Sequence, residues 1–210
     1  MKGFLANWGG LAGAIGGAAW AIFMVMLAFD STDSIFQAMQ APPTGLLLTV
    51  IVVLLAVGFS GIAFLPQATS LVKAIATICA GLAVVHSLAV FIATVIGFKP
   101  AYFLGILAEP ALTLGFLALG LSALASPLPT GIKILPLLMA VVYAPSYVLD
   151  PGAFPPGLAR AFPDLLAALY GVLWVMLGLL TFQARRTSNS RTRNPVNSRG
   201  HSSQNVRGHG

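Results

Sequence analysis

The chain has 210 residues, 58 % of them apolar and only 8 % charged, with a formal net charge of +6 and a mean hydropathy of +0.92. Soluble domains carry about 25 % charged residues, so a water-soluble globule is excluded and an integral membrane protein is implied. The lone cysteine, Cys79, leaves no intrachain disulfide and no thiolate zinc site to build.

Crossing the hydrocarbon layer takes about 20 helical residues. Six apolar runs meet or approach that length, at residues 8–29, 44–65, 70–97, 102–125, 131–149 and 165–183. None alternates with period two, and each is about twice as long as a barrel strand needs. Helices are predicted, since they also satisfy every backbone group inside lipid. The predicted fold class is an all-α, six-helix transmembrane bundle over residues 1–183. Proline marks its joints: Pro42-Pro43, Pro66, Pro100, Pro127 with Pro129, and four prolines between Asp150 and Asp164.

The first run stays apolar from Trp8 to Phe29, longer than the core of a cleavable leader, so an uncleaved helix is expected. Its Gly9, Gly13 and Gly17 recur every four residues, with Gly10, Ala14 and Ala18 beside them. That spacing makes a helix-packing face on which another backbone can approach closely. A helix of the same chain is the simpler partner, and a homo-oligomer or another membrane subunit the alternative.

In the second run, Gly58-Phe59-Ser60-Gly61 resembles the Gly-x-Ser-Gly of rhomboid intramembrane proteases, which pair the serine with a histidine. Only Ser60 and His86 would map, on the second and third helices rather than the family's fourth and sixth. They lie about 16 Å apart along the membrane normal, against the ~3 Å that proton abstraction needs. No catalytic residue follows, and an enzyme is not expected.

The third and fourth runs carry the ionisable groups that lie well inside the membrane. His86 sits about 16 Å from the far end of its predicted span and Glu109 about 10 Å from the same side. A short turn joins the two helices, so a His86–Glu109 pair is within reach across the ~6 Å difference in depth. A lone carboxylate in lipid must take a proton or find a partner. Pro110 removes a backbone donor beside it and releases the Ile106 carbonyl. His86, Glu109 and Pro110 together form the candidate intramembrane polar site, similar in kind to the broken helices of transporters. The bland alternative is a glutamate bonded to a neighbouring helix and a histidine satisfied by Ser87 or a backbone carbonyl.

The fifth run is short, with Pro136 and Pro145 inside it and Tyr143, Ser146 and Tyr147 near its end. Its outer half is expected to be distorted, and the stretch from Asp150 to Asp164 to lie along the interface as a cap, or to lid a cavity between the fourth and fifth helices. Pro43-Thr44-Gly45 and Pro129-Thr130-Gly131 open the second and fifth runs alike, a faint trace of an inverted repeat.

Residues 184–210 form an Arg-rich tail with six arginines and no acid, expected to be disordered. Arg185 and Arg186 read as the basic anchor at the membrane face, where anionic lipid is the partner besides the bilayer itself. Nucleic acid is not expected, since no aromatic is interleaved to stack bases. Nine of the eleven Lys and Arg fall on the side of the amino terminus. The positive-inside rule then puts both termini in the cytoplasm of a cell-membrane protein.

No cofactor and no metal site are expected: His201 and His209 lie in the tail, away from His86, and there is no phosphate-binding glycine loop. The expected function is a non-catalytic membrane subunit or scaffold. The alternative is a small transporter or solute-binding membrane protein that uses Glu109 and His86.

Overall fold

The structure, a computed structural model, describes residues 2–29, 42–145 and 156–193. Six α-helices are seen: α1 (Lys2–Phe29), α2 (Pro42–Ala63), α3 (Ser70–Thr94), α4 (Tyr102–Leu124), α5 (Thr130–Tyr143) and α6 (Pro156–Arg193), with a 3₁₀ turn at Lys99–Ala101 before α4. Five of them, all but α5, are long and apolar enough to cross a membrane. With 14 residues, α5 is about 21 Å long. That is short of the ~30 Å hydrocarbon layer.

Each helix packs on the next in chain order, and α6 returns to α1, closing a ring. The contacts run antiparallel throughout. Gly45 meets Thr94 and Gly115 meets Cys79, while Gly120 meets Leu137 and Gly131 meets Leu180. Large apolar side chains cover the outside, among them Ile22, Met26, Leu114 and Val141. Ser87, Thr94, Ser126 and Thr181 are buried, and the hydroxyls of Thr94 and Thr181 bond carbonyls one turn earlier. An apolar exterior around polar interior groups suits lipid rather than water.

The glycine face of α1 is used inside the chain. Gly9 lies against Gly61 and Gly13 against Gly58 on α2; Gly10 lies against Gly178 and Gly17 against Gly171 on α6. A Cβ on Gly10 would stand 2.6 Å from the Gly178 carbonyl oxygen, and one on Gly17 2.7 Å from that of Gly171. Only hydrogen fits there. Higher on the same seam, Trp20 Nε1 donates to the Ala167 carbonyl at 2.9 Å. Gly58 and Gly61 of the protease-like motif thus serve packing, while Ser60 donates to the Ala56 carbonyl at 3.2 Å.

Helix ends differ from the hydropathy boundaries in instructive ways. Helix α1 begins at Lys2, before the apolar run, because a helix need not stop where lipid does. Helix α3 ends at Thr94 instead of 97: Gly97 takes φ 84° and Phe98 N–H turns back to the Ile92 carbonyl, a reversal only glycine makes without strain. Helix α5 keeps Pro136 in an unbroken run and ends at Tyr143; residues 146–149 lie outside the described ones.

Helix α6 runs past the hydropathy boundary at both ends. Residues 156–164 are helical, with Pro156 at the first position, where its missing N–H costs nothing. Residues 184–193 are helical rather than disordered. Arg185 Nη1 donates to the Phe64 carbonyl at 2.7 Å, and Thr187 Oγ1 donates to Gln183 and Ala184 carbonyls. These contacts tie the polar end to the bundle. The remaining tail, 194–210, and the loop residues 150–155 lie outside the described residues.

Candidate functional site

The early stop of α3 sets the register of the site. His86 is eight residues before Thr94, and Glu109 is seven residues after Tyr102. Their depths therefore differ by about 1.5 Å, not ~6 Å. Both side chains face inward, and His86 Nε2 lies 3.8 Å from Glu109 Oε1. That is ion-pair range and longer than a hydrogen bond. The histidine side chain is 7 % exposed and the glutamate 27 %, so the carboxylate is the half of the pair that solvent or a solute can reach.

Two neighbouring hydroxyls bond backbone carbonyls. Ser87 donates to the Thr49 carbonyl of α2 at 3.2 Å instead of serving His86. Thr113 donates to the Glu109 backbone carbonyl at 3.2 Å, one turn after Pro110. Pro110 itself is exposed on the outer face of an unbroken α4. Of the three candidate residues, then, His86 and Glu109 come together and Pro110 points away.

The pair opens onto a cavity with ≈ 40 Å³ open to the centres of water molecules. One water needs about 10–15 Å³ on that measure, so about three fit. All six helices supply walls: Trp20, Val52, Ala83, Thr113, Tyr143 and Tyr170 are one residue from each in turn. Aromatic rings form its floor and one side. Phe59 meets Trp174 edge-on at 4.8 Å and Phe116 at 5.0 Å; Tyr143 and Tyr170 stack at 4.6 Å. The Trp174 indole N–H, with the Tyr170 side chain beside it, is buried without an acceptor in hydrogen-bonding geometry.

These rings escape a sequence reading that takes aromatics as packing and interface anchors. One signal was available: Phe116 and Trp174 lie in mid-span, away from the interfacial belts where aromatics usually gather.

Comparison with protein-family models, curated proteins and solved structures finds no match. Function must therefore be argued from this geometry.

Chemically, the site offers one carboxyl group, one imidazole, the hydroxyls of Thr113, Tyr143 and Tyr170, a buried indole donor and ring faces. Such a set holds a proton, a cation or a weak base, with rings adding attraction for positive charge. Among the described residues no three of His, Cys, Asp and Glu gather as a metal site, and Cys79 is buried against Gly115. Arg185 and Arg186 stand far from the cavity, at the end of the bundle shared with Phe64, Lys73 and Lys133.

Proposed function

We propose that this protein is a small transporter or solute-binding membrane protein whose working group is the His86–Glu109 pair. The observation that carries the proposal is the cavity walled by all six helices with that pair in its lining. A bundle that only assembles others gains nothing from a cavity holding a carboxyl group, which costs several kcal/mol to keep in an apolar interior. The glycine face of α1, one of the motives for expecting a scaffold, is covered by α2 and α6.

The solute is a small, weakly basic or largely apolar molecule. A carboxylate and ring faces suit an amine, and most of the lining is apolar or aromatic. With room for about three waters, the cavity is small, and a larger solute requires helix movement. In this proposal all six helices cross the bilayer. The end bearing Lys73, Lys133, Arg185 and Arg186 faces the cytoplasm together with both termini.

Trp20 and Trp174 line the cavity, so intrinsic fluorescence reports its occupation. Titrating the purified protein with a series of small amines is expected to quench this signal saturably. Glu109→Gln and His86→Ala should each weaken that response, and matched uptake in vesicles, about tenfold or more, as loss of a charged hydrogen-bonding partner does. Both variants behaving as wild type would end the proposal.

A further inference from the structure

A second concavity lies at the end of the bundle where Arg185 meets Phe64. We propose that the groove between the amino-terminal part of α1 and the carboxy-terminal part of α6 binds a phosphate anion, as the headgroup of an anionic phospholipid. This inference does not depend on the solute proposed for the cavity. The groove has a volume of ≈ 250 Å³ and is lined by Asn7 and Trp8 from α1 and Phe182, Arg185, Arg186 and Asn189 from α6.

Charge is the first argument. The five acids of the chain are Asp30, Asp33, Glu109, Asp150 and Asp164. None falls in residues 1–29 or 165–210, so neither wall of the groove can offer its guanidinium groups a carboxylate. Two adjacent arginines with no carboxylate side chain in either groove wall make a standing attraction for an anion.

Geometry is the second. Arg185 is anchored through Nη1 on the Phe64 carbonyl at 2.7 Å, while its Nε is buried with no hydrogen-bond partner. The Arg186 guanidinium lies 5.2 Å from the Phe182 ring centroid, and Trp8 packs on the same ring at 6.4 Å. Both cations are thus held before any ligand arrives, which lowers the entropy lost on binding. Planar guanidinium groups match phosphate oxygens in pairs. The half-exposed Trp8 ring at the rim suits the headgroup level, where tryptophan is enriched.

The full-length protein in detergent, titrated with phosphatidylglycerol or phosphatidylcholine and observed by native mass spectrometry, tests this. Phosphatidylglycerol is expected to bind in preference, because phosphatidylcholine neutralises its phosphate with its own choline. Arg186→Gln and Asn7→Asp should each weaken phosphatidylglycerol about fivefold, the effect of one charge near a lipid surface. Asn197→Asp makes the same charge change in the tail and should leave binding within about twofold. Inorganic phosphate added as a competitor separates the sources: displacement shows that the free anion suffices, and retention shows that the lipid headgroup is required, each keeping phosphate as the ligand. Equal binding of the two lipids, unchanged binding in both groove variants, or an Asn197→Asp loss matching that of Asn7→Asp overturns the proposal.

Discussion

Two regions of the ring solve the problem of neighbouring helices in opposite ways. Along α1, glycines face glycines on α2 and α6, and backbones touch with no space left. At the centre of the bundle, bulky rings from α1, α2, α4, α5 and α6 meet a His–Glu pair from α3 and α4, and a cavity remains among them. In lipid no hydrophobic effect draws helices together, so close contact must come from small residues. Tight seams along α1 let the centre of the bundle tolerate a void and a polar pair. Close packing and open space are thus divided between the α1 seams and the bundle centre.

Adding one or two carbons at chosen points tests that division. The largest effect is expected on the seam. Gly17→Ala sets a methyl 2.6 Å from the Trp174 Cβ and 2.7 Å from the Gly171 carbonyl oxygen. Overpacking there should cost about 2–3 kcal/mol or more, despite the better helix propensity of alanine. A thermal melt of the purified protein reads it directly; an unchanged Tm would mean that the seam is looser than the contacts imply.

Ala83→Val adds two carbons beside the cavity, where Ala83 is buried but borders open space. The cost should stay near 1 kcal/mol, while amine-dependent fluorescence quenching is lost because the space is filled. A destabilisation as large as that of Gly17→Ala would erase the distinction between seam and cavity.

The smallest effect, and of opposite sign, is expected at Gly81, in the same helix as His86. A Cβ there meets nothing within 4 Å. Gly81→Ala should therefore stabilise by about 0.5–1 kcal/mol through helix propensity alone. The identical substitution at Gly17 and Gly81 moving Tm in opposite directions would isolate sterics from propensity.

Much of this was legible in the chain, but unevenly. The glycines of α1 announce a close contact because their spacing is local; which helices they meet depends on how the ring closes. His86 and Glu109 could be paired from the shortness of their connection. Their true register needed Gly97, whose left-handed turn ends α3 three residues early. Hydropathy missed the length of α6, since it marks where lipid is tolerated and not where hydrogen bonds stop. Arg185 on Phe64 and Thr187 on its own helix carry that helix on to Arg193. Phe59, Phe116 and Trp174 looked like ordinary apolar residues, because nothing local distinguishes a ring that floors a cavity from one that faces lipid.

Composition and the lengths of the apolar runs determine on their own that this is a helical protein with several membrane-length helices, because transfer into lipid depends on residues summed along a segment. Only the tertiary structure decides that α1 is sealed by its own neighbours and that one histidine, one glutamate and a wall from every helix enclose a common space. Those facts rest on the rotational phase of six helices about their axes. Phase is set by side-chain packing between distant residues, and no single run of sequence contains it.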